Sequence, residues 1–149
     1  MSFALEVPRE YGYVLATATA SLFVNTFHRV LTSRARAAAG IAYPTAYASQ
    51  EQADRDPKAF KFNSAQRAHA NFTENHASFV TSLLIAGLRY PGPAAYAGAA
   101  WVAGRLAYAY AYTSYGPKAR GLGFGVAQLG KAALVAMALS ACYGMIQTA

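Results

Sequence analysis

The feature that most constrains this chain is a repeated pattern: four apolar stretches of roughly 20 residues, each about the length of helix that spans a hydrocarbon core of about 30 Å, set apart by short polar or Pro/Gly-rich breaks. The pattern predicts an all-α fold, an integral membrane four-helix bundle with helices over about residues 11–31, 63–90, 94–115 and 121–146, in one domain covering residues 1–149. Bulk hydropathy understates it. The chain is 55% hydrophobic, yet its mean hydropathy is only +0.17, because Ala and Gly supply most of the apolar content. The single cysteine, Cys142, excludes an internal disulfide and a cysteine-built zinc site. Met1 to Glu10 are mixed polar residues without a basic n-region or a small-residue cleavage site, so the first apolar helix is expected to serve as its own signal anchor.

A net charge of +7 raises the question of nucleic acid, but the basic residues are scattered between apolar segments and form no stripe, which argues against that class of partner. They set an orientation instead. Arg34, Arg36, Arg55, Lys58, Lys61, Arg67, Lys118 and Arg120 lie in the first and third loops and adjoining helix ends, against only Arg9 and Arg89 on the other side. Lys and Arg are retained on the cytosolic face. Both termini are therefore expected to be lumenal, and the stretch Thr32 to Phe62, the longest loop, cytosolic.

Charged side chains inside a membrane helix cost about 2.5–3.5 kcal/mol each on insertion scales, and segment two holds several. Arg67, Asn71 and Glu74 stand at i, i+4 and i+7, within a narrow arc of one helix face. One reading makes Arg67 and Glu74 glue between helices. The other makes Arg67 a bidentate donor for a ligand carboxylate, Asn71 an amide partner and Glu74 an acceptor for an ammonium group, a set that suits a zwitterionic peptide. Segment three adds Arg105, Tyr108 and Tyr112 on one face, while Tyr96, Tyr110 and Tyr115 read as an interfacial aromatic belt. Arg120 precedes segment four, where a helix N-terminus adds partial positive charge that would stabilise a thiolate. Gly121, Gly125 and Gly130 offer small faces for helix packing. Topology places Arg67, Tyr112 and Arg120 at the same membrane face, so they can meet. The sequon Asn71-Phe72-Thr73 would lie on the cytosolic side and go unmodified. His69 and His76 lack a third ligand, so no metal is expected. Lys131 can snorkel, line a crevice or pair with Glu74, and the sequence leaves all three open.

These residues resemble the membrane-associated proteins in eicosanoid and glutathione metabolism, the MAPEG family, and most closely its type-three microsomal glutathione transferases. Residues 62–71, Phe-Asn-Ser-Ala-Gln-Arg-Ala-His-Ala-Asn, followed by Glu74, match the helix-two signature. Glu10-Tyr11-Gly12-Tyr13, Tyr43-Pro44, Gly104-Arg105, Tyr108-Ala109-Tyr110 with Tyr112, and Arg120-Gly121 follow in the family's order and spacing. The resemblance implies a homotrimer in the endoplasmic reticulum (microsomal) or outer mitochondrial membrane. It implies glutathione as co-substrate, with no metal, held between subunits near the cytosolic face, and a lipophilic electrophile or lipid hydroperoxide arriving from the membrane lipid. The implied activity is glutathione transferase, with glutathione peroxidase activity towards lipid hydroperoxides. Carried over by position, Arg67, His69, Asn71, Glu74, Arg105, Tyr108 and Tyr112 would bind glutathione, Arg34 or Arg36 would reach in from the first loop, and Arg120 would be catalytic by stabilising the thiolate. The alternative within the same family is a lipid-binding scaffold without enzymatic activity. Where the family carries a tyrosine and prolines after the glutamate, this chain has Asn75, His76, Ala77 and Ser78, and Gln128 and Lys131 make the fourth helix more polar than usual.

Overall fold

The computed structural model describes residues 7–147. Residues 1–6, on which part of the signal-anchor expectation rests, lie outside the described residues. Five α-helices follow in order: α1 (Tyr11–Ala39), α2 (Gln50–Arg55), α3 (Pro57–Arg89), α4 (Pro91–Tyr115) and α5 (Gly121–Gln147), with a 3-10 turn (Pro117–Arg120) leading into α5. Among the described residues there is no strand. The four long helices form the bundle, in which α3 and α4 are the central pair and each touches both α1 and α5.

Helix boundaries follow local chemistry. α1 runs past the expected end near residue 31 to Ala39, and stops where Gly40 adopts a left-handed conformation (φ 63°) that favours glycine. The expected loop of residues 32–62 is therefore mostly helical. Ser49 caps α2 by accepting from the Gln52 amide, and Asp56 caps α3 by accepting from the Lys58 amide. Pro57 and Pro91 occupy first-turn positions, where the missing N–H is not needed. Hence Pro91-Gly92-Pro93 is the first turn of α4, not a break, and Tyr90 alone separates α3 from α4.

The core holds Val14, Val24, Phe72, Phe79, Leu83, Trp101 and Leu134, with the Phe79 and Trp101 rings stacked at 3.7 Å. α4 and α5 meet backbone to backbone. A Cβ on Gly104 would lie 2.7 Å from the Ala127 nitrogen, one on Gly123 2.5 Å from the Tyr108 nitrogen, and one on Gly130 2.6 Å from the Ala97 oxygen. The expected close-packing glycines are corrected accordingly: Gly130 serves, but Gly121 and Gly125 have nothing within 4 Å of a Cβ. Gly123→Ala should destabilise the fold by about 1–3 kcal/mol, because backbone on both sides must move. Thermal unfolding in detergent checks this, with Gly125→Ala as the variant that should not lower the midpoint.

On length and composition together, one stretch among the described residues passes as a membrane span, Pro117–Gln147, with a mean hydropathy of 1.6 in its most apolar window. Of the four expected apolar windows, this is the one that meets the test of length and composition. At 29, 33 and 25 residues, α1, α3 and α4 are long enough, but they carry polar groups that they bury against one another, including Ser21, His28, Ser82 and Arg105. Only 22% of the most apolar α5 window is buried within the chain, and Phe23, Tyr96, Leu122, Leu129 and Leu139 are also exposed. Soluble monomers rarely expose apolar surface on that scale.

Candidate functional site

Because α1 and α4 run towards one end of the bundle and α3 and α5 away from it, residues 40–56 and the turn 116–120 share that end. The helix-two signature starts there. Its first polar residue, Asn63, clamps the preceding loop: the side chain accepts from the Ala48 amide (2.8 Å) and donates to the Ala48 carbonyl (3.0 Å). This fixes Tyr47 and Gln50 over a cavity of about 230 Å³ that also takes in Phe60, Ser64, Arg67 and Tyr112.

Deeper in, α3 presents one polar side chain per turn. Arg67 Nη1 donates to Glu74 Oε1 at 3.1 Å, and both side chains are 52% exposed. Asn71 Oδ1 accepts from Arg105 Nη1 at 3.0 Å, and Asn75 Nδ2 donates to the Asn71 carbonyl at 2.9 Å. Lys131 Nζ donates to Asn75 Oδ1 at 3.0 Å, so it reaches α3 but its partner is the neutral Asn75 and not Glu74, and it also lines a groove along α5 with Gln128, as the crevice reading has it. Arg105 is 1% exposed, with its guanidinium 4.4 Å above the Tyr108 ring, and its Nε and Nη2 have no hydrogen-bond partner. Tyr108 packs edge-on against Tyr112 at 5.5 Å, and the Arg120 guanidinium lies 5.7 Å from the Tyr112 ring. The close glycine contacts at 104 and 123 hold α4 against the start of α5 and so bring Tyr108 and Tyr112 near Arg120.

Three of the expected residues point elsewhere. His69 shares a hydrogen bond with Asn25 Oδ1 at 2.9 Å and stacks on His28, facing α1. Arg36 lies on α1, not in a loop. It is buried between the Tyr43 and Phe62 rings (4.3 and 4.5 Å) and donates to the Thr45 carbonyl at 2.7 Å. Arg34, also on α1, faces a separate groove with Lys58 and Lys61. Arg36→Lys should loosen the 40–49 loop, because lysine cannot stack as a planar group between two rings while donating sideways. Limited proteolysis should cleave that loop several-fold faster, with helix content unchanged by circular dichroism.

Sequence reasoning missed Tyr47, Gln50 and the Asn75–Lys131 pair. The clamping Asn63 sits inside the signature and was the available signal for the loop. Nothing in the spacing of α5 signals that Lys131 lies beside Asn75.

Arg67, Arg105, Arg120 and Lys131 thus accompany a single carboxylate, Glu74, which pairs with Arg67, while Arg105 meets Asn71, Lys131 meets Asn75 and Arg120 meets Tyr112; among the described residues the only other ion pair is Arg55 with Glu51, at the surface. No group of three or more metal-ligating side chains occurs among the described residues. Such a site attracts a ligand with more negative than positive charge. A family model described as the MAPEG family matches residues 14–140.

Proposed function

The chain belongs to the MAPEG family, whose members are membrane-associated and include glutathione transferases and related enzymes, and from that premise we propose that it is a membrane-bound glutathione transferase. Its acceptors are lipophilic electrophiles, lipid hydroperoxides among them. In this reading all four long helices cross the bilayer, the basic end faces the cytosol, and the working unit is a homotrimer.

The observation that carries the proposal is the excess of cations over carboxylates around Arg67, Asn71, Glu74 and Arg105, with Arg105 holding two buried, unpartnered N–H nitrogens. Burying a charged donor without an acceptor is costly, so an anion that reaches these nitrogens is stabilised there. Glutathione fits the set, having two carboxylates, one ammonium and a thiol. Arg67 offers a fork for a carboxylate, Glu74 can accept from the ammonium, and Tyr108 and Tyr112 supply walls and hydroxyls. Arg120, beside Tyr112 and just ahead of the α5 N-terminus, supplies positive charge at the mouth.

In the reaction, Arg120 favours the thiolate, the nucleophilic form, by lowering the thiol's pKa. The thiolate sulfur forms a bond to the electrophilic carbon and the leaving group departs with the electron pair; with a hydroperoxide the sulfur attacks the terminal oxygen, the O–O bond breaks to release the lipid alcohol, and a second glutathione displaces water to give the disulfide. The outward apolar faces of α1, α4 and α5 let a lipophilic acceptor approach from the side. Detergent-solubilised protein should bind glutathione and conjugate an electrophilic chromogenic substrate or reduce a fatty-acid hydroperoxide. Glutathione binding without turnover of either substrate sinks the transferase reading, and failure to bind glutathione leaves the lipid scaffold.

A further inference from the structure

A second polar groove, of about 370 Å³, opens between the same ends of α1, α3 and α4. Arg34 comes from α1, Lys58 and Lys61 from the first turns of α3, and Thr113 and Ser114 from the last turn of α4. None of the lining residues is acidic, and among the described residues none of the three cations forms an ion pair. The carboxylate nearest in sequence, Asp56, is taken up in capping α3. Thr113 is 5% exposed, and its Oγ1 is buried in the groove wall without a hydrogen-bond partner. Three unneutralised cations around an unpartnered hydroxyl call for an oxyanion.

We propose that this groove binds the phosphate of an anionic phospholipid headgroup, specifically a phosphomonoester such as that of a phosphoinositide, with Thr113 donating to a phosphate oxygen. A phosphomonoester carries about −1.5 to −2 charge near neutral pH and so matches three cations better than a phosphodiester does. The groove lies at the basic end of the bundle, and the exposed Tyr110 lines it, with the exposed Tyr115 packed edge-on against Tyr110, as interfacial tyrosines do. Basic pockets between membrane helices on the cytoplasmic side suit such headgroups. The proposal rests on the membrane placement of this end and not on the thiol chemistry.

The full chain, reconstituted in phosphatidylcholine nanodiscs containing phosphatidylinositol 4-phosphate or phosphatidylinositol, is released and its retained lipids are counted by native mass spectrometry. The phosphorylated lipid should be retained preferentially. The double substitution Lys58→Gln/Lys61→Gln, on exposed positions, should lower that retention about tenfold or more. Thr113→Val should lower it several-fold and Thr113→Ser should preserve it, which separates hydroxyl loss from misfolding. Equal retention of the two inositol lipids, or unchanged retention in the double variant, overturns the proposal. So does displacement of the lipid by inorganic phosphate, which assigns the groove to free phosphate, or by glutathione, which makes it part of the thiol site.

Discussion

Arg120→Ala should reduce glutathione-dependent turnover by about 10²–10³-fold, the usual effect of removing one preorganised group that stabilises developing or resident negative charge. The loss should fall on kcat, with the apparent affinity for glutathione changed little, because Arg67, Asn71, Glu74 and Arg105, on α3 and α4, are untouched. Arg120 sits in the 3-10 turn, exposed, with its guanidinium over the Tyr112 ring. Its substitution therefore removes the charge and the contact with the Tyr112 ring without opening a cavity in the core. Arg120→Lys should recover part of the rate, since charge survives while ring stacking does not. Steady-state kinetics with saturating glutathione and a chromogenic electrophile measure both variants. An Arg120→Ala enzyme with wild-type kcat would remove Arg120 from the chemistry.

Arg67→Ala should act on the other parameter. Charge-assisted hydrogen bonds contribute about 1.5–3 kcal/mol, so glutathione affinity should fall roughly 10–100-fold by equilibrium binding. Arg67 and Glu74 form one ion pair, so Glu74→Gln alone should also weaken binding, and the double substitution should cost less than the sum. Arg67→Lys keeps the charge but loses the fork, and should fall between wild type and Arg67→Ala. If Arg67 and Glu74 only fasten the helix, both single variants should lower thermal stability and leave glutathione affinity unchanged.

The helical class was legible from apolar run lengths, and the polar face of α3 from the spacing of Arg67, Asn71 and Glu74. Helical periodicity is a local property, and it fixes which side chains share a face. It does not fix what they meet. Asn71 meets Arg105, Asn75 meets Lys131, and His69 meets Asn25, all pairings between residues far apart in sequence. Arg36 was misplaced for a related reason. Gly40, Pro44, Pro57 and the many charged residues give 32–62 the composition of a loop, whereas Arg and Ala are good helix formers and α1 continues to the first residue that stops it, Gly40. The glycines of α5 were visible as small residues, but only the approach of α4 separates Gly123 and Gly130, which need to be glycine, from Gly121 and Gly125, which have room. Of the four expected windows, those of α1, α3 and α4 are the less apolar ones, because these Ala-rich helices bury polar groups against one another, Arg105 and His28 among them.

The most direct measurement of the central claim, that the basic cluster binds glutathione and holds it as a thiolate, is a pH titration of the absorbance near about 240 nm, where thiolates absorb, on adding glutathione to the purified protein. A free thiol of this kind ionises near about 8.5. Bound glutathione should titrate at a clearly lower pH, with thiolate absorbance present at neutral pH and lost as the pH falls through the lowered pKa, and Arg120→Ala should return the midpoint towards the free value. Glutathione that binds with the midpoint it has in solution, or that produces no thiolate absorbance at neutral pH, would contradict it.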